Sequence, residues 1–384
     1  MKPGAKGHLP PLGLYVHLPW CVRKCPYCDF NSHGQRGPIP EAAYVDALLD
    51  DLRQDLDHAQ DRPLGSIFIG GGTPSLFSAD AIGRLLDGAA QLLHFNSDIE
   101  ITLEANPGTA EQQRFSGYRS VGVNRLSLGV QSLDDAALAR LGRIHGREDS
   151  LRAVAMARSA GFDNLNLDLM FGLSHQSVAD ALKELDEAIA LAPEHLSWYQ
   201  LTLEPNTYFY RHPPPLPDHD QLWEMQQAGR QRLQNAGLVQ YEVSAFARPE
   251  QHAKHNLNYW QFGDFLGIGA GAHGKITRRD CGTVVRTWKV KGPGTYLDPA
   301  KPYLSGSRTL REDELPFEFL LNGLRLVTGV PSRLFRQRTG LPLQRINAPL
   351  AEARLRGLMV VDEQRLAATE RGHWFLNDLL ELFL

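Results

Sequence analysis

Cysteine is scarce in this chain, at 4 of 384 residues. Too few thiols are present for a disulfide framework, and nothing signals an oxidising compartment. Charge of one sign is also lacking: 40 basic and 44 acidic residues leave a net charge of −4, so no broad basic surface awaits nucleic acid. No apolar run reaches the roughly 18 residues needed to span a bilayer. Residues 1–7 carry no following apolar h-region, which argues against a signal peptide. Internal repeats and low-complexity tracts are absent too. These absences point to a reducing, cytoplasmic setting. The length, with 42% hydrophobic residues, suits one large domain plus a smaller one.

What cysteine there is clusters. Cys21, Cys25 and Cys28 have the spacing C-x3-C-x2-C, and only Cys281 lies elsewhere. Three clustered thiols cannot pair off among themselves. On one short loop they can hold three irons of a cubic iron–sulfur cluster and leave the fourth iron open. Together with His33 they also match the ligand set of a tetrahedral zinc. Spacing alone leaves both readings open.

The first two thirds of the chain alternate between short strand patterns and amphipathic helix patterns. Strands are predicted over 14–18, 66–69, 98–104, 125–130, 165–170 and 195–203. Helices are predicted over 41–58, 79–93, 110–121, 135–144, 149–160 and 178–191, with Ser78 and Ser177 as N-caps. Six βα units in a row predict an α/β fold with a parallel sheet and helices outside it. A Pro-rich loop at 213–217, a helix over 221–236 and a strand over 240–247 follow. Residues 275–308 read as an irregular connector. From 309 onward, helices over 315–326, 331–339 and 342–356, short strands at 358–361 and 365–368, and a helix over 372–384 read as a small winged-helix-like α+β domain. The expected division is 1–274, 275–308 and 309–384.

In parallel barrels, functional residues gather at the C-terminal strand ends. The first predicted strand runs into the cysteine loop. The second runs into Gly70-Gly71-Gly72-Thr73-Pro74, where glycines let backbone approach a ligand. Polar residues recur at the later strands: Glu104, Gln131 and Asp168. One acid in a strand is ordinarily structural; a series at successive strand ends is harder to dismiss.

The order Y-x-H-x-P-x-C-x3-C-x2-C, GGTP, L-E-x-N-P, L-G-V-Q-S, Arg143 and N-x-D-L-x-x-G-L spans residues 13–173. It resembles the coproporphyrinogen-oxidase-like branch of the radical SAM superfamily. The resemblance implies a partial (βα)6 barrel, a 4Fe–4S cluster on Cys21, Cys25 and Cys28, and S-adenosylmethionine (SAM) on its open iron. By the same resemblance Tyr15 meets the methionine region and Tyr27 the adenine. Gly71, Gly72 and Thr73 meet the amino group; Glu104, Gln131, Arg143 and Asp168 meet the carboxylate and ribose. Those residue types suit the roles, since arginine pairs with carboxylates and acids accept from hydroxyls.

That branch includes oxygen-independent coproporphyrinogen III oxidases and heme chaperones of the HemW type. The oxidase pattern continues with a further cysteine shortly after the triad; here Asp29-Phe30 follows Cys28, which resembles the chaperones. His255-Asn256-Leu257-Asn258-Tyr259-Trp260 matches their H-N-x-x-Y-W motif. The resemblance implies heme contact by His255, Tyr259 and Trp260, since imidazole ligates heme iron and flat rings suit a porphyrin. A histidine satisfied in a core is the plainer alternative for His255. The implied partners are heme, a respiratory heme-protein acceptor at the membrane and an electron donor to the cluster. A dimer and peripheral contact with the inner membrane face are compatible with that role. A coproporphyrinogen III oxidase and a zinc-bound interaction scaffold are the competing readings.

Three features remain. The glycine-rich segment 267–274 lacks the surroundings of a dinucleotide fingerprint; by resemblance it closes the barrel near SAM with His273 facing the site, and a plain close-packed turn is the alternative. His17 either braces the cluster loop or serves packing alone, and Cys281 reads as structural. The apolar C-terminal run 374–384 suits burial in the small domain better than a membrane surface.

Overall fold

In the computed structural model, residues 9–109 and 112–384 are described. Residues 1–7, where a signal peptide was sought, and 110–111, where a helix was predicted to start, lie outside the described residues.

Six strands run in chain order: β1 (Leu12–Leu18), β2 (Leu64–Gly71), β3 (Phe95–Ala105), β4 (Arg125–Gln131), β5 (Leu165–Phe171) and β6 (His195–Gln200). Each pairs in parallel with the next. Near-continuous burial along β1, β4 and β5 is the mark of strands covered on both faces. Helices α1 (Glu41–Gln54), α2 (Ala79–Leu92), α3 (Gln112–Ser120), α4 (Arg147–Ser159) and α5 (Val178–Ala190) alternate with them. The caps are as expected. Ser78 Oγ accepts from the Ala81 amide, and Ser177 forms a reciprocal capping box with Asp180. The predicted helix 41–58 ends earlier, at Gln54, because Asp55 leaves helical geometry before a further turn at Leu56–Ala59.

The sheet extends beyond the six units. A helix, α6 (His219–Asn235), packs on α5 and leads into β7 (Val239–Glu242) and β8 (Ala245–Ala247); β8 adds antiparallel to β6, and β7 pairs antiparallel with β8 at the sheet edge. After α7 (Lys254–Trp260), β9 (Asp264–Ile268) pairs in parallel with β1 on its other side. It is a seventh parallel strand, hidden in the sequence by the glycines that follow it. The stretch 275–308 is not irregular. Strands β10 (His273–Thr277), β11 (Val284–Lys289) and β12 (Leu304–Thr309) form an antiparallel meander, giving a twelve-stranded order β12-β11-β10-β9-β1-β2-β3-β4-β5-β6-β8-β7.

Beyond β12, helices Leu315–Gly323, Ser332–Thr339 and Asn347–Leu355 surround a small antiparallel element. In it Val330–Pro331 pairs with Arg365–Leu366, and Met359 bridges Ala368. The C-terminal run is two short helices, not one, because Phe375 (φ −114°, ψ 43°) breaks it. Leu379, Leu380 and Phe383 are buried in a core that also draws in Tyr241, Phe262 and Val284, so this segment packs directly on the barrel. Among the described residues no helix is long and apolar enough to cross a membrane.

One buried polar knot fastens the meander to the barrel helices. Lys289 Nζ on β11 meets Asp51 (2.5 Å) and Asp55 (2.8 Å) of the α1 end. Asp51 also accepts from Tyr296 (2.6 Å) and from the Gly269 amide. Removing one partner of such a pair strands buried charge. Lys289→Ala should therefore lose about 3–5 kcal/mol in a denaturant titration, whereas the exposed pair Arg311–Asp313 should be nearly neutral to Arg311→Ala.

Candidate metal and cofactor site

The cysteine loop leaves β1 at Pro19 and is held by backbone on two sides. The Gly72 amide donates to Leu18 O (2.8 Å) and the Thr73 amide to Trp20 O (2.7 Å). A Cβ on Gly72 would stand 2.4 Å from Trp20 O, so only glycine admits this approach. On the other side Gly269 (φ +102°) passes so close that a Cβ would meet His17 O at 2.3 Å.

A polar relay joins the two sides. His17 Nε2 donates to the Asn31 carbonyl (2.9 Å), which fixes the tautomer; Nδ1 then accepts from Tyr15 OH (2.9 Å). Burial lowers the His17 pKa and keeps the ring neutral. Asn31 Nδ2 reaches Ala270 O and Lys291 O, both at 2.9 Å. Tyr44 OH donates to His17 O (3.0 Å) and receives the Ala270 amide (2.8 Å). His17 thus braces the loop, as its place in the motif suggested.

All four cysteines are free. Burial raises the Cys21 and Cys28 thiols, while nearby hydroxyls of Thr73 and Ser32 favour the Cys21 thiolate. Arg143 Nη1 lies 3.6 Å from Cys25 Sγ, and Nη2 donates to Gly129 O (2.9 Å). Its Nε is buried without a partner. Among the described residues no three His, Cys, Asp or Glu side chains converge as ligands of a single ion do. A cubane makes no such demand, because each thiolate takes a different iron. The half-buried triad, with an arginine beside one thiol, fits that group and fits a single zinc less well.

The polar strand ends meet behind the loop. Glu104 Oε2 accepts from the Gly71 amide (3.2 Å). Asp168 accepts from Asn166 Nδ2 (2.8 Å) and Ser127 Oγ (3.2 Å). Gln131 takes left-handed backbone (φ 68°), and its Oε1 accepts from Tyr199 OH (2.7 Å). Tyr199 escaped the motif reading; its partner role depends on pairing between β5 and β6. Tyr27 packs in an apolar group with Phe209, Met170 and Leu173, its ring centroid 6.4 Å from that of Phe209. Burial, then the nearby Asp168 carboxylate, push the Glu104 pKa up to about 8.

A cavity of about 560 Å³ opens in front of these groups, lined by Tyr15, His17, Gly71 and Glu104 on the strand side. Asp29, Phe30 and Asn31 of the cysteine loop line it too, as do Tyr259, Phe265, His273 and Lys291. Tyr15, Gly71, Glu104, Tyr259 and His273 of the predicted residues therefore share one space. Gln131, Asp168 and Tyr27 do not line it, and Arg143 lines a separate small crevice with Cys25 and Thr73. Asp29, Phe30, Phe265 and Lys291 were not signalled by residue type; only the path of the loops brings them in.

Two of the three expected heme contacts, His255 and Trp260, do not line this cavity. His255 is 1% exposed, its Nδ1 hydrogen-bonded with Ser66 Oγ (2.9 Å) and Nε2 with Tyr259 OH (2.8 Å), so neither nitrogen is open to a metal. Burial lowers its pKa to about 3. Trp260 lies beneath the Arg325 guanidinium (4.3 Å to the ring) and lines a smaller cavity of about 170 Å³, which shares Tyr259 and Phe265 with the larger one. Only Tyr259 of the three reaches the larger space.

The radical SAM superfamily model matches residues 15–188, and the HemN C-terminal domain model matches 310–375. The heme chaperone HemW of Escherichia coli is 50% identical over 98% of this chain and 99% of its own length. This chain is a member of the HemW family of radical SAM proteins. HemW of Haemophilus influenzae is likewise 50% identical over 98% of both chains. The solved coproporphyrinogen III oxidase of E. coli, HemN, superposes with a TM-score of 0.82 at 24% identity, over 99% of this chain and 91% of that one. That likeness establishes a common fold: the α/β radical SAM architecture read from the motifs is present. Membership of the superfamily brings a 4Fe–4S cluster and SAM as its cofactors.

Glu104 yields a test of the electrostatics. Above about pH 4.5 the unfolded carboxyl ionises while the folded one still holds its proton, so stability falls until about pH 8. Glu104→Gln should raise the unfolding free energy by about 1–3 kcal/mol at pH 8. At pH 4 the gain should vanish, as read by paired denaturant titrations.

Proposed function

We propose that this protein is a heme chaperone that carries a 4Fe–4S cluster on Cys21, Cys25 and Cys28 and delivers heme to respiratory proteins at the membrane. The observation that carries the reading is the shared cavity. Asp29, Phe30 and Asn31 at the end of the cysteine loop, Glu104 of the polar strand ends and Tyr259 of the H-N-x-x-Y-W motif line one space. A cluster at the triad would supply the open iron for SAM. Arg143, with an unpartnered buried Nε beside Cys25, is placed for the methionine carboxylate. Glu104 and Asp168 would accept from hydroxyls, and Tyr27 would meet an adenine edge. The amides of Gly72 and Thr73 already serve the loop, so these residues would meet an ammonium through carbonyl oxygens. Tyr15 and His17 hold the floor of the cavity.

The chaperone reading is favoured over the oxidase by Phe30, which lines the cavity two residues after Cys28, where the oxidase pattern has its further cysteine. The 50% identity to proteins named heme chaperones favours it too. Delivery would take place at the cytoplasmic side of the membrane, by peripheral contact, with electrons from a separate donor.

Anaerobic reconstitution should load about four irons and matching sulfide per chain, and Cys25→Ser should abolish the loading. The same preparation should change the absorption of added hemin in a stoichiometric titration. It should not convert coproporphyrinogen to protoporphyrinogen when reduced with SAM. Zinc without iron, or clear porphyrinogen turnover, would reject the reading.

A further inference from the structure

With His255 sealed, a heme iron needs another ligand. The cavity of about 560 Å³ lies within the usual size range of small-molecule and cofactor sites. Its outer part is built unlike its polar floor. Phe30, Tyr259 and Phe265 supply flat apolar surface, and Phe30 is 58% exposed on the cysteine loop, an aromatic with nothing over it. Tyr259 is held in place by His255 Nε2 and by an edge-on contact with Phe265 at 4.5 Å. His273, the first residue of β10, lines the same space and is exposed. Lys291 lines it as well and has no carboxylate partner within ion-pair distance among the described residues.

The glycine-rich segment explains how His273 comes to be there. A Cβ on Gly267 would stand 1.9 Å from His273 O, so the tight return from β9 to β10 exists only with glycine at that position. The turn delivers one imidazole to the cavity mouth, beside the cysteine loop, whose Asn31 side chain donates to Ala270 O (2.9 Å). Partial burial, with Lys291 and Arg286 nearby, lowers the His273 pKa and favours the neutral ring that metals bind. Those cations would oppose a bare metal ion but suit a ligand that also brings anionic groups.

We infer that His273 is the axial ligand of heme iron in this protein, with Phe30, Tyr259 and Phe265 against the porphyrin and Lys291 pairing with a propionate. This rests on the heme-chaperone reading and locates its cargo. His255 is then a positioning residue, acting through the Tyr259 hydroxyl. The heme would lie over the cavity mouth and cover the exposed Phe30, while the polar floor at Glu104 is left to SAM.

Hemin titration of the full chain, followed by the Soret band and by electron paramagnetic resonance, tests this. His273→Ala should weaken binding at least tenfold and remove the histidine-ligated signature. His273→Gly should regain that signature when imidazole is added. Lys291→Gln should weaken binding several-fold with the signature kept, and His212→Ala, remote from the cavity, should change neither. If the wild type binds hemin and His273→Ala gives the same affinity and spectrum, the assignment is wrong while the chaperone reading stands. A His273→Gly protein that binds weakly but gains nothing from imidazole would also overturn it. If the wild type itself gives no spectral change, the chaperone reading fails first.

Discussion

The close approach of backbone to backbone around the cysteine loop is the constraint on which the rest depends. Gly72 meets the loop at Trp20 from the end of β2, and Gly269 meets the strand that feeds it, at His17 of β1, from the end of β9. Neither contact tolerates a Cβ, and both are made by strands that flank β1 in parallel register. Holding the loop is therefore a task of the sheet rather than of the loop's own sequence. The seventh parallel strand matters here: without β9 beside β1, one of the two walls would be missing.

Hydrogen bonds convert that geometry into a rigid site. The chain from Tyr15 through His17 and Asn31 to Ala270 and Lys291 crosses from the barrel floor to the glycine turn. The knot of Lys289, Asp51 and Tyr296 anchors the same turn from behind. Buried carboxyls at Glu104 and Asp168 are costly for stability, and Glu104 lines the cavity. This is a pattern of function held against stability. The apolar outer cavity, in contrast, has exposed rings and an open imidazole, so one space is divided into a polar floor and an aromatic mouth.

Much of this was legible from sequence. The six βα units follow from strict hydrophobic spacing, and the caps at Ser78 and Ser177 fall where hydroxyls precede it. The polar strand ends could be read because strand termini in such folds converge. The meander was not legible, because β12 is largely exposed and polar and lacks the alternation that marks a half-buried strand. The place of His255 was hidden too. Its residue type suits a heme ligand, but α7 turns it under Phe68 against β2, and only the packing shows that both nitrogens are spent. His273 was read as part of a glycine turn near SAM; its cavity-mouth position depends on the return from β9 that pattern alone does not display.

The central claim is that the sheet, through glycine contacts, preforms the cysteine loop for an iron–sulfur cluster. Iron and sulfide content after anaerobic reconstitution of Gly72→Ala, set beside Gly34→Ala, tests it most directly. Gly34 lies in the same loop region with nothing within 4 Å of an added Cβ. The account predicts that Gly72→Ala folds but loads far less iron than the wild type while Gly34→Ala loads normally. Equal loading of both variants would contradict it.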